Sequence, residues 1–312
     1  MAAKRKDQRE NVESKCLATA AFDVARSLNI DVLLVQADEL EDIEVIEGLR
    51  AGEGVVWLTR SADLPDKLDS GDPVVRLPET SLARMSQMKI GLLLAVLNGY
   101  VHRNQSVLYL SGTAGSERLD TLLIVNPSRD FPWFGKRQIE KTQRLIRTQE
   151  LARLLEIALR LATEGREGSP IGTIFVLGDT EELVGYVRQL VLNPCKGHRK
   201  GLRSIHDSAF FETIRELAAL DGAFVVNDDG VVESAGTYLS VSGGSKTKLA
   251  AGLGARHAAA ALITSKTAAV SVVVSASSGT VTVFHGGKAI LELERPLRHP
   301  PATFVAGRGS NR

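Results

Sequence analysis

Residues 221–226 read DGAFVV and residues 252–257 read GLGARH. The first stretch is an acid and two small residues leading into a short β-branched and aromatic run. That pattern predicts a strand over Gly222–Val226, entered from a helix over Ser208–Leu220. The second is a glycine-containing loop running into a helix over Arg256–Thr264. Around them, strands are expected at Thr173–Leu177, Val270–Ser275 and Thr280–Phe284, with a further helix at Thr180–Leu192. Strands interleaved with helices define an α/β fold.

The N-terminal half gives a second alternating pattern. The first ten residues are polar and expected to fray. A helix over Val12–Leu28 precedes strands at Val32–Gln36, Val55–Thr59 and Val74–Leu77. A helix over Ser81–Tyr100 follows, then strands at Gln105–Ser111 and Leu122–Asn126, joined through Gly112–Ser116. The stretch NPSRDFPWFGK, with Pro127 and Pro132, reads as a linker. Gln138–Glu164 is strongly helical, with Leu151, Leu154, Leu155, Ala158 and Leu161 on one face. Two α/β domains result, 1–133 and 138–295. The Pro-, Gly- and Arg-rich end, 296–312, reads as a disordered tail.

Composition narrows the partners. The 312 residues carry a net charge of +1, so no overall field draws nucleic acid or an acidic membrane. An anionic substrate must be held by local cations and backbone amides. The two cysteines, Cys16 and Cys195, form no C-x-x-C, which argues against a structural zinc site or a disulfide framework. The longest apolar stretch, Ile90–Leu97, is too short for a bilayer. The N-terminus MAAKRKDQRE lacks a signal peptide's apolar run, so a cytoplasmic location is expected.

Three segments can carry chemistry, and each has a plain alternative. Asp221-Gly222-Ala223 puts an acid at the mouth of a sheet beside small residues that let a ligand approach, or it is an ordinary turn. Gly254-Ala255-Arg256-His257 offers helix N-terminal amides, a guanidinium fork and an imidazole to phosphate, or it is a helix cap with a surface arginine. Ser275-Ala276-Ser277-Ser278-Gly279 offers three hydroxyls to a triphosphate, or it is a hairpin turn. Ser242–Thr247 lacks the first glycine of a P-loop, and Ser111–Gly115 is not a hydrolase elbow. His102 and His285 show no ligand spacing and read as surface residues.

In combination these segments resemble the diadenylate cyclase family. DGA is followed about 35 residues later by GLGARH, where the family carries an R-H-R-type motif. Pro170–Thr173, Asn193-Pro194, Gly197-His198, Glu212-Thr213 and Ser234–Gly236 agree with it, as does VVVSASSGTVTVF. The likeness runs over about Leu151–Leu293. More weakly, Ala18–Thr59 and SVLYLSGTAGSERLDTLLIVN resemble the C-terminal domain of pyruvate kinase, an arrangement found mainly in archaeal cyclases. The implied fold has a central mixed sheet flanked by helices in the second domain.

The resemblance implies condensation of two ATP into cyclic di-AMP and two pyrophosphates, by a face-to-face homodimer or higher oligomer, with Mn²⁺ or Mg²⁺. It implies that Asp221 meets the ribose hydroxyl and the metal. Gly222, Ala223 and the backbone near Tyr238–Leu239 would line the nucleotide. Gly254, Ala255, Arg256 and His257 would hold phosphates, with Ser275, Ser277 and Ser278 alongside. Two positions depart from the family pattern. Ala258 replaces the last arginine of R-H-R, and Ala276 replaces the glutamate of S-E-x-x-G. The departures leave open a catalytically weak nucleotide-binding or regulatory protein on the same fold.

Overall fold

The computed structural model describes residues 2–40, 42–49, 54–61, 63–64, 68, 71–80, 82–131, 148–240 and 254–295. The expected tail, the half-P-loop at 242–247, residues 138–147 of the expected long helix and residues 132–136 of the linker lie outside them.

The first layer is helix α1 (Ala2–Leu28), whose Ala18, Ala21, Phe22 and Ala25 are buried at helical spacing. It covers one face of a sheet built from β1 (Val32–Gln36), β2 (Val55–Thr59), β3 (Val74–Arg76), β4 (Val107–Gly112) and β5 (Leu119–Val125). The order is β3-β2-β1-β4-β5, parallel except for β4 with β5. Leu33, Val35, Trp57, Leu108 and Leu110 point towards α1. Leu34, Val56, Leu58 and Tyr109 face the other way. Such two-sided burial makes β1 and β2 continuous apolar runs. A short helix α2 (Glu44–Glu47) lies between these two strands.

On the second face lies α3 (Arg84–Leu97), buried nearly all round. Gly91 lets it sit down on β2, since a Cβ there would come within 2.6 Å of Leu58 Cδ1. A helical turn α4 (Pro127–Asp130), capped by the Asn126 side chain, closes this half. Helix α5 (Thr148–Thr163) then packs beside α3 and beneath the second sheet.

That second sheet has seven strands. In chain order they are β6 (Thr173–Leu177), β7 (Val187–Gln189), β8 (Ala223–Val226), β9 (Val232–Leu239), β10 (Val270–Val274), β11 (Val281–His285) and β12 (Lys288–Leu293). They line up as β12-β11-β10-β6-β8-β9-β7, with only β6 and β8 parallel. It is the mixed sheet that the resemblance implied. Helix α6 (Thr180–Leu183) precedes β7, α7 (Phe210–Leu217) precedes β8 and α8 (Ala255–Lys266) precedes β10. Phe175, Phe224, Val272 and Val283 face α5, whereas Ile174, Val176, Val225 and Val273 face α8. Phe175 and Phe224 stack with centroids 4.9 Å apart, a pairing that contributes about 0.5–1.5 kcal/mol. One hydrophobic core runs unbroken from Leu34 and Val56 through Leu93 and Leu154 to Phe175 and Val272.

Three expectations need correction. The helix expected over Thr180–Leu192 ends at Leu183, capped at its start by Asp179, whose Oδ1 accepts from Glu181 N at 2.8 Å. Beyond a 3-10 turn at Val184–Tyr186 the chain becomes β7 instead, because Val187–Gln189 pairs with the end of β9. Its apolar residues do not form a helical core face, and Leu192 is 96% exposed. His285 is not a surface residue. It is buried on β11, with Nδ1 3.3 Å from Ala269 O. Finally, β7, β9 and β12 are additional strands absent from the pattern-based reading.

Candidate functional site

The strand registers bring the marked segments to one edge of the second sheet. Ile174 lies opposite Ala223, Val274 opposite Thr173, Ala223 opposite Thr237 and Val274 opposite Val281. The turn after β10, the lead-in to β8 and the end of β9 therefore share that edge. It is the amino end of the parallel pair β6 and β8. The sheet-mouth argument, which places ligands at carboxyl ends, gives the opposite edge and does not apply in this mixed sheet.

Gly222 is fixed by space as well as by conformation. Its φ is +113°, and a Cβ would come within 2.7 Å of Thr237 N and 2.8 Å of Gly236 C. A glycine is therefore required where the β8 lead-in presses on β9. Ala223 is buried on β8. Asp221 projects outward with 91% of its side chain exposed. Its Oδ1 accepts from Gly222 N at 3.2 Å and lies 4.0 Å from Arg256 Nη2. Leu239, at the end of β9, points into the α8-side core rather than outward.

Helix α8 begins after Gly254, which has extended dihedrals and provides no side-chain cap. First-turn amides have no intrahelical acceptor by construction, so this end attracts anions. Arg256 and His257 diverge, as neighbours on a helix must. Arg256 turns to Asp221. The His257 ring packs edge-on to Phe284, centroids 6.0 Å apart. Burial there pushes its pKa below the ordinary value, against the opposing pull of Glu292.

The serine turn is closed by Ser275 N to Thr280 O at 2.9 Å and Gly279 N to Ser275 O at 3.0 Å. Its hydroxyls bond one another. Ser275 Oγ is 3.2 Å from Ser277 Oγ, and Ser278 Oγ donates to Thr280 Oγ1 at 2.8 Å. Residues 276–278 are exposed. Gly172 backs the turn so closely that a Cβ on it would lie 2.6 Å from Ala276 Cβ. Gly172, Gly236 and Arg295, which also meets this turn, went unmarked as site residues in the sequence. The glycines lie in Pro170–Thr173 and Ser234–Gly236, stretches that agree with the resemblance, but have no side chain to mark them as contacts.

Among the described residues, no three His, Cys, Asp or Glu side chains gather to hold a metal. A divalent ion carried on nucleotide phosphates needs only one or two protein carboxylates, and Asp221 is an exposed carboxylate on this edge. A cavity of about 720 Å³ lies elsewhere, between the sheets, and is lined by Arg76, Tyr100, Arg153, Glu156, Arg160 and His206 among others. Among the described residues, no helix is long and apolar enough to cross a membrane.

A mixed α/β sheet with an acid, a helix N-terminus and a hydroxyl turn on one edge defines the class: an α/β protein with a candidate nucleotide site. Residues 160–289 match the family described as DisA bacterial checkpoint controller nucleotide-binding. The chain is 39% identical over 177 residues to the diadenylate cyclase of Methanocaldococcus jannaschii, covering 57% of this chain and 56% of that protein. It is 38% identical over 141 residues to the diadenylate cyclase of Haloferax volcanii, covering 45% and 51%. The chain thus matches about half the length of these curated relatives. A pyruvate kinase from Cryptosporidium parvum aligns with 36% of this chain and 22% of its own at 14% identity, with a TM-score of 0.31, too low to carry an argument.

Proposed function

We propose that this protein condenses two ATP molecules into cyclic di-AMP, releasing two pyrophosphates. The observation that carries the reading is that Asp221, 4.0 Å from Arg256 at the start of α8, shares one sheet edge with the serine turn, within a segment similar to diadenylate cyclases. In each half-reaction a ribose 3′-oxygen bonds to the α-phosphorus of the other ATP. The bond from that phosphorus to the β-bridging oxygen breaks, pyrophosphate leaves, and the hydroxyl proton passes to water.

Asp221 orients the attacking hydroxyl and would hold Mn²⁺ or Mg²⁺, which when bound would neutralise phosphate charge. Arg256 and the amides of Gly254 and Ala255 hold phosphate oxygens, with His257 behind them. Ser275, Ser277 and Ser278 re-aim their hydroxyls from each other to the triphosphate. Gly222, Ala223 and the Leu239 backbone line the nucleoside. The catalysis is positioning and charge stabilisation.

The two attacks require two nucleotides face to face, hence a homodimer. An apolar patch beside the acid supports this. Val191 and Leu220 flank Gly236 and remain 45% and 37% exposed, next to the exposed Leu192 and Tyr238. A second copy covering the patch would bring two Asp221 edges together. On this reading residues 138–295 are the cyclase domain, residues 1–133 are a pyruvate kinase C-terminal-like domain, and the protein acts in the cytoplasm without nucleic acid or membrane.

The test is incubation with ATP and Mn²⁺ or Mg²⁺, followed by detection of cyclic di-AMP. Asp221→Asn is expected to abolish product while the fold persists, and unchanged turnover refutes the role of Asp221. The exposed Ala276, where the family pattern has an acid, favours one second reading: a catalytically weak nucleotide binder. ATP binding with no product at high protein concentration selects that reading over the first.

A further inference from the structure

We infer that Arg295, beyond the 160–289 match and outside every motif above, is the positioning residue that fixes the serine turn. The inference rests on the reading of that turn as a phosphate contact. Gly279 has φ +71°, and a Cβ there would lie 2.8 Å from Arg295 Cδ and 2.9 Å from its Cγ. The arginine stem thus lies across the turn's backbone, and glycine is what leaves room for it. Its Nη2 donates to Gly168 O at 3.0 Å, in the bend that leads from α5 to β6. Pro170 Cγ, from the same bend, would meet that Cβ at 3.1 Å.

The turn is therefore gripped from two directions. Gly172, leading into β6, backs Ala276, and Arg295, trailing from β12, bars Gly279. Hydroxyls on an exposed turn bind an anion well only when held in place beforehand, since ordering them on binding costs affinity. Arg295 is itself anchored. Leu293 pairs with Val281, and α3 of the N-terminal half reaches the same strand through Lys89 Nζ, 3.3 Å from Glu292 O. The N-terminal half thereby bears on the turn through β12.

The test uses the full chain and three variants: Arg295→Ala, Arg295→Lys and Arg295→Met. The first readout is amide exchange at Ser278 and Gly279, whose N–H groups bond Ser275 Oγ at 3.3 Å and Ser275 O at 3.0 Å. Arg295→Ala is expected to speed exchange about 10-fold, a local opening with the global unfolding midpoint retained. The second readout is the Kd of α,β-methylene-ATP with Mg²⁺, expected to weaken about 10- to 100-fold. Arg295→Lys, which keeps a stem and a donor, should restore most of both. Arg295→Met, which keeps most of the stem but has no donor for Gly168 O, should lose part of the protection and part of the affinity, and keeps the test open should Arg295→Ala not fold. Unchanged exchange in Arg295→Ala overturns the inference whatever the nucleotide does. Faster exchange with unchanged Kd overturns its link to binding. A parent protein that binds no analogue refutes the nucleotide reading, while the exchange result still decides the positioning role.

Discussion

Gly222→Ala tests the geometry of the candidate site most sharply. The residue sits at φ +113°, and holding a side chain in so sparsely populated a region costs about 1–3 kcal/mol. The added methyl also meets backbone on three counts: Thr237 N at 2.7 Å, Gly236 C at 2.8 Å and Thr237 O at 2.9 Å. These atoms belong to β9, which is tied to β8 through the Ala223–Thr237 pair and cannot swing aside like a side-chain end. Overpacking of that kind adds about 1–3 kcal/mol. The sum, about 2–6 kcal/mol, is a large share of a typical folding free energy of ~5–15 kcal/mol. With a urea slope of ~1–3 kcal/mol/M, the unfolding midpoint should fall by about 1 M or more. Gly201→Ala is the control, since nothing lies within 4 Å of a Cβ there and its φ is not positive. It should leave the midpoint unchanged or slightly raised. A Gly222→Ala midpoint equal to the parent's would refute the close approach of the β8 lead-in to β9.

His257 gives a pH-dependent prediction. Its pKa lies below the unfolded value of about 6.5, so the stability it contributes is full above that pH and is lost as pH falls below it. A bound triphosphate would raise the pKa, so ATP binding near pH 6.5 should take up a proton. Titration calorimetry in buffers of different ionisation enthalpy reads this, and zero uptake removes His257 from the phosphate contacts. Gly172→Ala drives a methyl to within 2.6 Å of Ala276 Cβ and 2.9 Å of its N, and should weaken ATP-analogue binding about 10-fold by displacing the serine turn. An unchanged Kd would show that the turn is not a nucleotide contact. The two thiols should react at separate rates with an aromatic disulfide reagent. Cys16 is exposed, whereas Cys195 is buried with its pKa raised by desolvation. Equal rates in the native protein would contradict that burial.

Legibility in the sequence followed burial. Val32–Gln36, Val55–Thr59 and Thr173–Leu177 are covered on both faces, so the alphabet alone marks them, and their bounds match the structure residue for residue. VESAGTYL of β9 mixes polar residues, a glycine and a bulge against β8, and nothing local distinguishes it from a loop. β7 exists only because β9 offers it an edge. KAILEL of β12 is held between β11 and α3, which are partners remote in sequence. At the candidate site, the spacing of DGA and GLGARH located two segments whose side chains do meet, Asp221 with Arg256. It did not separate His257 from Arg256, because their divergence depends on which face of α8 lies on the sheet. Arg295 was invisible for the same reason: its position follows from the empty volume at Gly279, a tertiary property.

The continuous core changes what the N-terminal half can be doing. A tethered accessory domain would leave polar surface between itself and its neighbour. Here α3 is buried nearly all round, with sheet one on one side and α5 and β12 on the other. Such a helix sits between layers, and the two sheets share one hydrophobic core across it. On its far side α3 meets β12, whose Leu293 is paired to Val281 at the end of the serine turn. The serine turn is in this way joined to the first sheet by a continuous run of contacts through β11, β12 and α3.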